Sequence, residues 1–139
     1  MPPLTRYFIK TALIYFVLAL LTGVLLLARS AIDLPPEIAA LSPVYFHMLM
    51  VGWVTQLIFG MLFWMLPKFS KEKPRGNERL VWAAFILINS GLVLRIIGEP
   101  VTAIKPEWGL GWLLMVSAVL QLIGGWSFLA NAWSRVKER

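Results

Sequence analysis

The chain has 139 residues, 59% of them hydrophobic, and 13 Lys and Arg stand against 7 Asp and Glu for a net charge of +6. A soluble domain carries about a quarter charged residues and somewhat under half apolar ones, so a soluble enzyme, a nucleic-acid-binding protein and a disordered segment are excluded. There is no cysteine, which removes disulfide scaffolds, thiol–disulfide enzymes, Cys-rich metal sites and covalent c-type haem attachment.

Four apolar runs are legible, at about 7–28, 44–66, 80–97 and 108–133. Each reaches the roughly 18 residues that a membrane-crossing helix needs. Backbone polar groups in hydrocarbon must be satisfied internally, so each run is expected to be helical. In the first, Arg6 and Lys10 precede an apolar stretch too long for a secretory leader, and no small-residue cleavage site follows; it is read as a retained span. Pro43 suits the opening turn of the second run and Pro67 its end. Pro100 and Pro106 are expected to bracket the connection between the third and fourth. The expected fold is all-α, a single integral membrane four-helix bundle over 1–139.

Charge orients this bundle. Arg6 and Lys10 precede the first span, Lys68, Lys71, Lys73, Arg75 and Arg79 lie between the second and third, and Arg135, Lys137 and Arg139 follow the fourth. With four spans these segments share one side, which the positive-inside rule makes cytoplasmic. Both termini are therefore expected in the cytoplasm and the chain in the cell inner membrane. The loop from Lys68 to Arg79 is first a topology determinant, with a secondary attraction to anionic lipid headgroups. Most of the seven tryptophans fall near predicted span ends, as an aromatic belt would.

Polar residues within spans are costly and mark candidate sites. They are His47, Thr55 and Gln56 in the second span, Asn89, Ser90 and Arg95 in the third, and Ser117, Gln121 and Asn131 in the fourth. No Asp or Glu falls inside a predicted span, the nearest being Glu99 and Glu107 beside the third connection. That weighs against a small proton-coupled exporter and against diiron carboxylate chemistry.

His47 is the sole histidine, expected about one turn inside the outer end of the second helix. At about 100° per residue it shares a face with Met50, Val51, Val54, Ile58 and Met61, a smooth wall suited to a flat macrocycle. The residues leave two roles open, an axial haem ligand or an interfacial histidine bonded to a carbonyl. Gly52, Gln56 and Gly60 form a separate stripe that permits close helix approach. Arg95 is expected at the same depth as His47, beside Ile88 and Gly91, whose missing side chain leaves room. It either snorkels to the interface or meets haem propionates, which arginine grips in bidentate fashion. Arg29 and Lys105 are the other cations expected at this outer level. Gln56 and Gln121 lie at depths that would allow a hydrogen bond between their helices.

The stretch Phe46-His47-Met48-Leu49-Met50-Val51-Gly52-Trp53, followed by Gly60 and Leu66-Pro67, resembles the haem–copper oxidase subunit I superfamily. It is similar above all to short four-helix members and to NnrS-like haem membrane proteins. Asn89, Gly91 and Arg95 fit the same pattern, and the likeness covers residues 43–98. The resemblance implies a b-type haem with one axial histidine per chain, His47, with Arg95 at its propionates. With such a haem, the helix face of His47 puts Met50, Val51 and Val54 against the cofactor, Gly91 leaves room for it, and Arg29 is a further cation at its level. Further histidines that a copper-dependent oxygen reductase requires are missing, so one chain alone cannot be one. The implied role is electron transfer or binding of a diatomic gas, NO or O2, in a homo-oligomer, dimer or trimer, with a respiratory-chain redox partner. The alternative is a cofactor-free accessory subunit packed on a larger respiratory complex.

Overall fold

A computed structural model describes residues 1–136. Four long helices cross the molecule: α1 (Pro3–Ala28), α2 (Pro36–Met65), α3 (Glu78–Ile104) and α4 (Trp112–Trp133). All four are long and apolar enough to span a bilayer, and there is no strand among the described residues. The expected all-α membrane bundle is what the chain forms.

Four helix ends differ from the hydropathy reading by four residues or more: α1 starts at Pro3 and α4 at Trp112, and the start of α2 and the end of α3 differ further. The α-helical part of α2 opens at Ser42 with Pro43 in its first turn, as expected, but a 3-10 turn, Pro36–Leu41, precedes it, Pro36 with its fixed φ being suited to a first helical position. None of the turn's residues is buried, so hydropathy could not mark it. Helix α3 continues past Ile97 to Ile104 with Pro100 inside it, so Pro100 does not bracket the connection. The extension carries Glu99 into the helix, correcting the expectation that no carboxylate lies in a span.

Each helix buries one stripe. In α1 it is Leu4, Phe8, Ala12, Tyr15 and Ala19, spaced three or four apart as a 3.6-residue period requires. At one end of the bundle, Leu4, Phe8, Phe63, Val81, Ala84, Phe128 and Ala132 pack together, and Phe59 stacks on Phe128 at 3.8 Å. At the other end Tyr15, Ala19, Val44, Met48 and Leu92 form a second cluster. Between them Gln56 and Asn89 exchange reciprocal amide hydrogen bonds of 3.2 and 3.1 Å.

That pair corrects the expected bond between Gln56 and Gln121. Helix α4 packs along α3, where Gln121 donates to Ser117 Oγ of its own helix at 3.2 Å, while Gln56 meets α3 from the α2 side. Close approach explains the glycines. A Cβ on Gly91 would lie 2.8 Å from the Ser117 carbonyl, and one on Gly52 would lie 2.6 Å from Cγ of Tyr15.

The first turn of α1, the α2–α3 connection and the end of α4 meet at one end of the bundle. Tyr7 lies against Trp82, and Asn131 donates to the carbonyls of Arg75 and Asn77, at 3.0 Å each. The basic segments counted for orientation are thus gathered together, although Lys137 and Arg139 lie outside the described residues.

Arg135 is the largest fully buried side chain at this end. Its guanidinium donates to the carbonyls of Phe63, Leu66 and Pro67 at 2.9, 2.7 and 3.1 Å, closing the end of α2. Burial lowers its pKa from the usual arginine value, and the Arg75 charge adds to this while Glu78 opposes it. A guanidinium remains charged regardless.

Candidate functional site

Helix α2 changes geometry at His47. The α-turn Ser42–His47 gives way to a π segment, Met48–Thr55, in which the Thr55 hydroxyl donates to the Met50 carbonyl five residues back at 2.8 Å. Such segments are rare and frequently accompany functional sites. Here it begins at the residue after the sole histidine.

His47 and Arg95 lie at one depth, as expected, and touch. His47 Nδ1 lies 2.8 Å from the Pro43 carbonyl and 3.1 Å from Oε1 of Glu99. Both are acceptors, so the network assigns the ring proton to Nδ1 and leaves the lone pair on Nε2. Nε2 in turn accepts from NH1 of Arg95 at 3.1 Å. Arg95 NH1 also reaches Glu99 Oε1 at 3.2 Å, and Arg95 Nε donates to Ser117 Oγ at 3.3 Å. Ser117 passes its own proton to the Gly91 carbonyl at 2.6 Å. Three helices therefore meet in one polar cluster at the end of the bundle opposite the basic loops.

Exposure grades across the cluster. The Glu99 side chain is 8% exposed, Arg95 19% and His47 30%. Glu99 is buried with its charge matched by Arg95, as burial of a carboxylate demands. Its second oxygen, Oε2, has no hydrogen-bond partner among the described residues. The imidazole is the most exposed of the three.

Sequence reasoning missed Glu99, because Pro100 reads as a helix stop. Its i, i+4 spacing from Arg95 was the available signal. The space expected beside Gly91 is filled by α4, with Ser117 and Gln121 against it; Gly91 serves helix approach and opens no recess. Met50 is exposed and Val54 half-buried, Val51 packs against the second core cluster, and Arg29 is exposed at the end of α1.

A multi-pass helical membrane protein with one outward-reaching imidazole backed by carboxylate and guanidinium is the class so defined. The family model for Cytochrome C and Quinol oxidase polypeptide I matches residues 3–104, the first three of the four helices, and the chain belongs to this haem–copper oxidase family. No curated protein and no solved structure matches it.

Proposed function

We propose that this membrane protein holds a b-type haem through Nε2 of His47 and serves electron transfer or the binding of a diatomic gas. The observation that carries the reading is the state of the ring. Nδ1 is held on the Pro43 carbonyl with the Glu99 carboxylate 3.1 Å away, the arrangement that orients a metal-ligating histidine, and the lone pair stands on Nε2 of a ring that is 30% exposed. A haem bound there supplies a one-electron redox centre or, with one axial position open, a gas-binding site.

The donor set fits such a group at the surface of the bundle and not in its interior. The glycines at 52 and 91 are already filled by Tyr15 and α4. Met50 and Val54 offer one apolar wall, with Val51 turned partly to the core, and a second wall has to come from another copy of the chain, hence a homo-oligomer. Arg95 would turn to the propionates once NH1 leaves Nε2, with Ser117 still holding Nε; Arg29 is the further cation at this end. In the same reading the basic end faces the cytoplasm and the chain resides in the inner membrane, with a respiratory redox partner.

One observation favours the alternative, a cofactor-free accessory subunit: Nε2 already has a partner in Arg95. Difference spectra of the reduced, detergent-purified protein with carbon monoxide and nitric oxide separate the cases. A ligand-induced Soret shift marks an open haem, an unshifted haem spectrum marks an iron closed by two ligands, and absence of any haem spectrum supports the accessory subunit.

A further inference from the structure

The basic end of the bundle carries a feature that does not depend on haem. A cleft of about 490 Å³ is lined by Trp64, Leu66, Lys68, Lys71, Pro74, Arg75 and Arg135. Four of these residues are cations and none is a carboxylate. Lys68 and Lys71 form no ion pair among the described residues, and Arg75 has only an exposed contact with Glu78 at 3.6 Å. Arg135 contributes a buried charge fixed behind the cleft wall, since its guanidinium is held by the carbonyls of Phe63, Leu66 and Pro67.

Gathering like charges is unfavourable unless an anion joins them, and the lowering of the Arg135 pKa by Arg75 is one sign of that repulsion. The rest of the lining specifies the kind of anion. Trp64 is an exposed aromatic one residue from the end of α2, the level at which tryptophan lies between headgroups and acyl chains. Leu66 and Pro74 continue this apolar side. The cleft size lies within the range of small-molecule sites.

We infer that this cleft binds the anionic headgroup of a phospholipid, its phosphodiester held by Lys68, Lys71 and Arg75 in the field of the buried Arg135 charge, and its glycerol end lying along Trp64 and Leu66. Juxtamembrane lysines and arginines each strengthen attachment to anionic lipid; the cleft adds a defined place where several act on one phosphate.

Native mass spectrometry of the full chain, delipidated in neutral detergent and titrated with phosphatidylglycerol or phosphatidylcholine, tests this. Phosphatidylglycerol is expected to bind at one or two copies per chain, about tenfold or more tighter than phosphatidylcholine. The variant Lys68→Gln/Lys71→Gln/Arg75→Gln should lose that preference. Arg6→Gln/Lys10→Gln/Arg79→Gln removes the same charge from the same end outside the cleft and should keep most of it. Lys71→Gln alone, a change in an exposed loop that the fold tolerates, should weaken phosphatidylglycerol several-fold. Equal losses in the two triple variants, or equal affinity for the two lipids, would overturn the inference. Displacement of the lipid by millimolar inorganic phosphate would overturn it as well, by making the site one for free phosphate.

Discussion

Replacing Arg135 by methionine tests how α2 is terminated. Three carbonyls, of Phe63, Leu66 and Pro67, lose a charged donor at 2.7 to 3.1 Å. At the interface water replaces part of each bond, so about 1 kcal/mol apiece is the appropriate net value. The positive charge at a helix C-terminus adds about 0.5 kcal/mol, and the guanidinium over the Phe63 ring, 5.6 Å from its centroid, about 0.5 kcal/mol more. The expected loss is about 4 kcal/mol. Arg135→Lys keeps a charge but reaches fewer carbonyls, and should lose about half as much. Unfolding by stepwise SDS addition to zwitterionic micelles, followed by tryptophan fluorescence, reads both. A loss below about 1 kcal/mol for methionine would refute the cap, since each of these contributions would then have been overcounted.

Three further substitutions follow from the packing and the cluster. Gln56→Leu leaves Asn89 without its partner and should cost about 1–2 kcal/mol in the same assay, whereas Gln56→Leu/Asn89→Leu should recover most of it. Gly52→Ala sets a methyl 2.6 Å from Cγ and 2.7 Å from Cβ of Tyr15, which should cost about 1–3 kcal/mol; adding Tyr15→Ala removes the first contact but keeps the second, and should relieve the clash only in part. Arg95→Leu should lower haem retention, measured as haem per chain after gel filtration, without preventing membrane insertion. The double variant Arg95→Leu/Glu99→Gln removes the buried unpaired carboxylate too; if it restores haem fully, the propionate role of Arg95 is wrong.

The spans were legible because hydrocarbon imposes one solution on long apolar runs, and the buried stripe of α1 follows from helical period alone. The contact of His47 with Arg95 was legible as a shared depth, since antiparallel helices of similar length place equivalent positions at one level. What the sequence hid depends on tertiary context. Pro100 near the end of α3 is tolerated inside the helix, and only the continuation of the chain in space shows that Glu99 turns back onto His47. Gly91 read as a vacancy because a sequence does not state which neighbour fills a missing Cβ; here it is α4. Arg135 read as one topology-setting charge among ten, for nothing in the linear order says that α2 ends beneath it. Gln56 found Asn89 because α3, not α4, lies beside that stripe.

The visible spectrum of the detergent-purified protein, oxidised and reduced, from haem-replete cells bears most directly on the proposed role of His47. A Soret band is expected in the wild type and should be absent in a folded, membrane-inserted His47→Ala variant. A colourless wild type, or a Soret band that persists undiminished in His47→Ala, would contradict that role.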